Sequence, residues 1–310
     1  MTKWSVMIPA YNAERYLGET LASVLAQDPG PERMQIEVVD DASAVDPTPL
    51  VRELCGDRVT VFRHAENRGH VAAFNACIER ARGELVHLLH ADDAVRPGFY
   101  ERLGGALDEH PEAGAAFCRY VSMDEDGNWI GIARLEQGTA GLLDCWLEKI
   151  ATGQRLQPPC IVVRRAVYEA VGGFDSRIRS YGEDWEMWTR IAAAHPVWYE
   201  PEPLALYRVG RASLSGAALR SGDNVRQLLQ VTEIIRGNLP RERADELAAE
   251  ARRSTARAAI RRGVRLARAG EPRGALAQLR WSVRADSSPG TLARAAVGLA
   301  RVAAPRRRRG

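Results

Sequence analysis

What the 310-residue chain lacks excludes several protein classes at once. No run approaches the 18 or more apolar residues of a membrane span, and the N-terminus enters a strand pattern without a signal-peptide profile. The five cysteines (Cys55, Cys77, Cys118, Cys145 and Cys160) are odd in number, widely spaced and free of any Cys-x-x-Cys. They read as free thiols of a reducing compartment, so a cytoplasmic protein is expected. There is no Gly-x-Gly-x-x-Gly and no Gly-x-x-x-x-Gly-Lys-Ser/Thr, which removes the dinucleotide fingerprint and the P-loop. Lysine is almost missing: Lys3 and Lys149 stand alone, and the remaining basic charge is arginine. Five of the six histidines (His64, His70, His87, His110, His195) have no metal-ligand spacing and read as structural or surface residues.

Charge is present but divided. The net +3 separates into −11 over residues 1–210 and +14 over residues 211–310, which marks regions with different surroundings or tasks. The acidic part alternates strand and helix signals. Strands are expected at Trp4–Pro9, Gln35–Val39, Val59–Phe62 and Leu85–Leu89. Between them, helices are expected after a capping Asn12, near Pro49–Cys55, and over Val71–Arg82. This order predicts a mainly parallel sheet with helices on both faces. Right-handed crossovers then carry Pro9–Tyr11, Asp40–Asp41 and Asp92–Asp93 to one rim, where a nucleotide is the expected ligand. The adjacent carboxylates Asp92 and Asp93 repel each other and lose hydration unless a cation or hydrogen-bond donors compensate. A divalent Mg²⁺ or Mn²⁺ suits such hard oxygen ligands, although an isolated Asp-Asp pair before Pro97 is also compatible with a solvated turn.

Six segments follow in order: Ser5-Val6-Met7-Ile8-Pro9-Ala10-Tyr11-Asn12, Val38-Val39-Asp40-Asp41-Ala42-Ser43, Asn67-Arg68-Gly69, Ala91-Asp92-Asp93, Gly172-Gly173-Phe174-Asp175 and Gly182-Glu183-Asp184-Trp185-Glu186-Met187-Trp188. Together they resemble the family-2 glycosyltransferases of GT-A fold, over about residues 3–210. The resemblance implies an α/β, Rossmann-like sheet and an inverting transfer of sugar from a nucleoside diphosphate, UDP or dTDP, to an acceptor hydroxyl. It places Pro9, Ala10 and Tyr11 against the nucleotide base and makes Asp41, with Asp40 second, the acceptor for the base imide. Arg68 has a guanidinium suited to base or diphosphate. Asp92 and Asp93 fall at the divalent metal, Mn²⁺ or Mg²⁺, with Asp92 also near the donor ribose. Asp184 matches the general base, with Glu183 in reserve. For Glu183 and Asp184 taken alone, stabilisation of a helix N-terminus accounts for both.

Two departures from the family pattern touch the metal. His90 stands where relatives often carry Asp, and Gly210 where many carry a metal-binding His. His90, Trp185, Arg208 and Arg211 remain candidates for diphosphate or acceptor contacts, with core packing the plainer reading of Trp185. Gln157–Cys160 and Arg164–Arg165 are expected to border the acceptor side. A glycan of the cell surface or of secondary metabolism is the expected acceptor class. The rival reading from another class is a non-catalytic nucleotide-sugar binder, and a nucleotidyltransferase ranks last for want of a glycine-rich basic loop.

Beyond Ser213 strand signals stop. Val225–Asn238, Glu242–Ala269, Gly274–Ala285 and Thr291–Val302 are Ala/Leu/Arg-rich, punctuated at Pro240, Gly270-Glu271-Pro272 and Ser287-Ser288-Pro289-Gly290. Leu266, Ala269, Ala275, Leu276 and Leu279 suggest a helical hairpin resembling one tetratricopeptide-like unit. The expected organisation is a transferase domain over 1–215, an arginine-rich helical region over 216–304, and a basic tail over 305–310. The helical region is read first as a cap on the acidic body, with peripheral contact to anionic lipid as the sharper option. Nucleic acid is not an expected partner, because no aromatic interleaving accompanies the arginines.

Overall fold

The computed structural model describes residues 2–210 and 214–303, without the side chains of 214–217 and 301–303. In the first part, β1 (Trp4–Ala10), α1 (Leu17–Leu25), β2 (Met34–Asp40), α2 (Thr48–Cys55), β3 (Thr60–Arg63), α3 (His70–Arg80) and β4 (Leu85–Leu88) alternate. β1 lies parallel between β2 and β4, and β3 runs parallel outside β2. β1 and β2 are buried along their whole length, as continuous apolar runs in a covered parallel sheet should be. Asn12 does not cap α1: a turn through residues 14–16 intervenes, and α1 begins at Leu17 with no side-chain cap.

The chain continues through β5 (Ala94–Val95), α4 (Phe99–Glu109), β6 (Ala115–Met123), β7 (Trp129–Ile132), β8 (Gly141–Leu142) and α5 (Trp146–Ala151). It then forms β9 (Ile161–Arg164), α6 (Arg165–Val171), α7 (Glu183–Ala194) and β10 (Val197–Arg208). The sheet order is β3-β2-β1-β4-β9-β6-β10-β5, with β7 on β6 and β8 on β10. Here the sheet stops being parallel, because β9 is antiparallel to both β4 and β6. The register Leu85↔Arg164 sets Arg164 beside the start of β4, the end away from Asp92. Arg164 there donates to the carbonyls of Ala113, Leu107 and His110, and Arg165 N donates to Glu84 O. These two arginines therefore brace the sheet and do not border the rim that carries the carboxylates.

The chain forms two compact units. The first comprises Met1–Leu147, Arg155–Arg179 and Met187–Val209 and contains the sheet. The second joins Glu148–Gln154 and Ser180–Glu186 to the chain from Gly210 onward. A single cut near residue 215 thus does not describe the organisation, since two segments from within the expected transferase region, one with the end of α5 and one with the start of α7, group with the C-terminal helices. The reason is visible in the contacts. Gly182, at φ +96, is closed over by Leu228 and Val231, and Asn238 Nδ2 donates to Glu186 Oε1 at 2.9 Å. The helices of this unit are α8 (Leu214–Ser221), α9 (Asp223–Asn238), α10 (Arg241–Ala269), α11 (Pro272–Ala285) and α12 (Pro289–Ala303). Val225, Ala256, Ala259 and Ala285 form one buried cluster, and Ile260, Leu279 and Ala295 another. α10 ends where Gly270 turns left-handed and Glu271 N reaches back to Leu266 O, after which Pro272 opens α11. Leu276, expected in the hairpin core, is instead exposed.

Before β4 the backbone passes so close to β1 that a Cβ on Gly83 would lie 2.4 Å from the carbonyl carbon of Trp4. Gly83 N also donates to the buried Ser5 Oγ at 2.7 Å. Gly83→Ala must push β4 away from β1, so urea unfolding should show a loss of about 1–3 kcal/mol.

Candidate active site

The parallel strands β1 and β2 end together, Ala10 opposite Asp40, and the loops beyond them are tied to each other. Asp41 N donates to Ala10 O at 2.9 Å, Asn12 N to Ser43 Oγ at 2.8 Å, and Ala44 N to Asn12 Oδ1 at 2.9 Å. Pro9 and Ala10 are buried, while Tyr11 stands 55 % exposed, as a platform for a planar group must be. Asp40 is consumed locally: it accepts from Ser43 N at 3.1 Å and from Ser43 Oγ, with Arg63 at 3.5 Å. Asp41 faces α3 instead. Its Oδ1 accepts from Arg68 N and His64 Nδ1, each at 2.9 Å, and its Oδ2 from Gly69 N at 2.8 Å. Asp41 thereby anchors the amides that open α3, where a carboxylate is favoured by the helix dipole, and Oδ2 retains a free lone pair. The Arg68 side chain is exposed. His64 belongs to this site although its spacing gave no sign of it; its position just after β3, on the same rim, is the signal that was available.

The second cluster follows β4. Leu89 N still pairs with Met7 O, then Asp93 N turns back to His90 O at 3.0 Å. The turn is held from two sides. Thr20 Oγ1 on α1 reaches Ala91 O and Asp93 O at 3.0 and 2.7 Å. From the end of β10, Arg208 N donates to Asp93 Oδ1 at 2.8 Å and Arg208 Nε to Asp92 O at 2.9 Å. The same guanidinium bonds Asp124 O and Glu19 and lies over the Tyr16 ring at 4.2 Å. Arg208 is buried and fully engaged, so it braces the acidic turn and is not a loose arm for a diphosphate. Asp93 is 1 % exposed, and its Oδ2 has no hydrogen-bond partner. Burial, then the neighbouring Asp92, pushes its carboxyl well above the usual range.

His90 completes the cluster. Stacked on Phe74 with ring centroids 5.0 Å apart, it sets Nδ1 4.0 Å from Asp93 Oδ2. That is too long for a hydrogen bond, and a divalent ion with ligands at about 2.1 Å would draw the two atoms closer together. One donor atom from each of His90, Asp92 and Asp93 lies within 4.8 Å of the others, so the residues present fit a divalent ion. By contrast His87, three residues earlier and within β4, is a core residue. Its Nε2 donates to Pro159 O at 3.1 Å, Tyr100 lies on its other nitrogen, and burial lowers its pKa to about 3.

In the second unit Asp184 occupies the first turn of α7 and is 8 % exposed. Gln154 Nε2 donates to its Oδ2, and its Oδ1 accepts from Trp185 N at 2.8 Å. Burial first, and the charge of Glu183 second, hold its carboxyl well above the usual aspartate range. A carboxylate raised in this way is suited to accept a proton. Trp185 offers no face to a ligand: it is 1 % exposed and its Nε1 donates to Ile150 O at 2.6 Å. Arg211 lies outside the described residues. Gln154 carries no motif and was not legible in the sequence.

Residues 5–172 match the model of Glycosyl transferase family 2, more than half of the chain, and the protein belongs to that family. It is similar to an uncharacterized glycosyltransferase of Bacillus subtilis, 30% identical over 230 residues, which are 72% of this chain and 76% of that protein. An uncharacterized glycosyltransferase of Rickettsia typhi is 27% identical over 221 residues, and the match takes in 69% of this chain and 66% of that longer protein. A B. subtilis protein named for teichuronic acid biosynthesis is 33% identical over 135 residues, 41% of this chain and 52% of that one. Among solved structures, S. aureus TarS in complex with UDP-GlcNAc has a TM-score of 0.69 at 20% identity, covering 97% of this chain and 88% of that one. A mannosyltransferase of Pyrobaculum calidifontis with GDP-Man and Mn²⁺ has a TM-score of 0.61 at 23% identity, covering 96% and 79%. These structures establish the fold as GT-A.

The loop after β2 contains a strained residue. Ala42 is held at φ +58, where a Cβ crowds the following carbonyl. Ala42→Gly should raise stability by about 0.5–1 kcal/mol in urea unfolding, the relief at φ > 0 exceeding the entropy that glycine adds to the unfolded chain.

Proposed function

We propose that the protein transfers a sugar, with inversion, from a nucleoside diphosphate to an acceptor hydroxyl. The observation that carries this reading is the acidic turn after β4, where the buried Asp93 keeps one oxygen without a partner beside Asp92 and His90. The donor base would lie on Tyr11, with its imide directed to the remaining lone pair of Asp41 and the diphosphate within reach of Arg68. UDP or dTDP fits this arrangement, and the TarS complex with UDP-GlcNAc supports it by analogy. A divalent cation, Mn²⁺ or Mg²⁺, held by Asp92, Asp93 and His90 would neutralise charge on the diphosphate, and the neighbour with Mn²⁺ supports such a site. Asp184 would take the proton of the acceptor hydroxyl. That oxygen then bonds to the anomeric carbon as the carbon–diphosphate bond opposite it breaks, which inverts the centre. The relative named for teichuronic acid biosynthesis favours a cell-surface polysaccharide as the acceptor. Among the described residues no helix is long and apolar enough to cross a membrane.

Release of nucleoside diphosphate from a panel of UDP-, dTDP- and GDP-sugars, with and without Mn²⁺ or Mg²⁺, tests the proposal. Asp184→Asn should slow release about 10²–10⁴-fold while calorimetry shows unchanged UDP affinity. Asp92→Asn should weaken metal-supported UDP binding as well as turnover. Nucleotide binding by the wild type without release from any donor would make the protein a non-catalytic binder.

Gln154 gives a separate test through pH. Because Asp184 is raised, the acid limb of turnover should lie above the ~4 of an ordinary aspartate. Gln154→Leu removes a donor that favours the charged carboxylate, so the limb should move further up, with turnover lost near neutrality and recovered at alkaline pH. An unmoved limb would separate Gln154 from the titrating group.

A further inference from the structure

The second half of α10 and the helices after it carry many more guanidinium groups than carboxylates. From Glu250 on the chain contains only two further acidic residues, Glu271 and Asp286. Arginines of α10 up to Arg257 find partners: Arg243 pairs with Glu246 and Glu148, Arg252 with Glu233, and Arg253 and Arg257 with Glu250. One turn further along, Arg261 on α10 is exposed and makes no ion pair among the described residues, and the same holds for Arg294 on α12. These two and Arg257 rim a groove of about 400 Å³ whose walls are Ile260, Val264 and Val297.

Gly298 lets the groove form. A Cβ there would meet Leu279 Cδ2 at 2.9 Å, so glycine allows α12 to settle closely on α11. α12 itself has no acidic residue, and Leu292, Val297 and Leu299 are 44–54 % exposed on it. A surface helix ordinarily keeps such residues on its packed face. An apolar helix face bordered by uncompensated arginines matches the two parts of an anionic amphiphile, a phosphate for the guanidiniums and hydrocarbon for the valines and leucines.

We propose that the α10–α12 face docks on the phosphate headgroups and acyl boundary of an anionic membrane surface. It is independent of the basic segment Arg306–Arg309 and of the donor chemistry. The occupant is fixed by charge complementarity together with the exposed apolar ridge: a soluble phosphate would use the arginines alone, and an acidic protein would have no need of the ridge.

The test is sedimentation of the full chain with vesicles of phosphatidylcholine and phosphatidylglycerol in roughly equal parts, against pure phosphatidylcholine, at low and high salt. The wild type should pellet with the anionic vesicles only, less at high salt. Arg261→Gln with Arg294→Gln should weaken binding about 30-fold, and Val297→Asn, which changes no charge, should weaken it by a factor that salt does not alter. Both variants should keep wild-type melting temperature and diphosphate release. Pelleting of the double variant like the wild type, or loss of all binding when only Arg306–Arg309 are changed to Gln, would overturn the proposal. So would a wild type that stays in solution with anionic vesicles at low salt.

Discussion

A carboxylate buried just beyond the end of a buried strand is the constraint on which the proposed donor site rests. Ionised and unpaired, such a group is costly away from water. Asp93 is nevertheless placed there, and the surrounding structure is arranged around its two oxygens. Oδ1 is met by the amide of Arg208, while the carbonyls of its turn are gathered by Thr20 and by the Arg208 guanidinium. Three elements distant in sequence, α1, β4 and β10, are thus brought to one point by the need to satisfy one turn. Oδ2 is the remainder, and the imidazole of His90 at 4.0 Å and the neighbouring Asp92 make that remainder part of a candidate ligand set. An imidazole in place of a third carboxylate lowers the negative charge of the set while keeping a donor atom, and its ring is fixed by stacking on Phe74.

The same physics recurs in the second unit with a different result. Asp184 is also buried, but both of its oxygens have donors, one from Gln154 and one from the backbone of Trp185. A carboxylate that is desolvated, held in position and beside a second negative charge is raised without being stranded. The helices of the second unit supply the packing around the segment that carries it: Leu228 and Val231 seal Gly182, and Asn238 holds Glu186. The C-terminal helices therefore act as scaffolding for the start of α7, which bears the proposed base.

Arginine fills several structural roles that lysine cannot. A guanidinium offers five donors in a plane, enough to hold several carbonyls of one loop at once. Arg190 binds Val171 O, Gly172 O and Gly173 O, and so fixes the turn whose Phe174 is clasped by Asn75. Arg164 gathers three carbonyls at the start of β4, and Arg58 grips Asp28 with two nitrogens while bonding Met34 O. With these arginines occupied, Arg261 on α10 and Arg294 on α12, which make no ion pair among the described residues, stand out.

Much of the candidate donor site was legible because its residues sit where periodicity ends. The apolar runs that become β1, β2 and β4 stop at Ala10, Asp40 and Leu88, and parallel pairing brings all three ends to one edge whatever the loops do. The C-terminal helices were equally plain, since proline and glycine mark their ends within a few residues. What the linear order could not reveal were the partners. Which of Asp40 and Asp41 closes its own loop, that His64 and Thr20 serve the site, that Arg208 is spent on the acidic turn, and that Gln154 meets Asp184 are matters of contact between residues up to 189 positions apart. The sequence by itself determined the class of fold, the edge at which the carboxylates gather and the helical character of the last hundred residues, because local propensity and hydrophobic period are properties of neighbours along the chain. Only the tertiary structure decided which carboxylate is left with an open oxygen and which segments join the C-terminal helices, because burial and hydrogen-bond satisfaction exist only once distant segments have met.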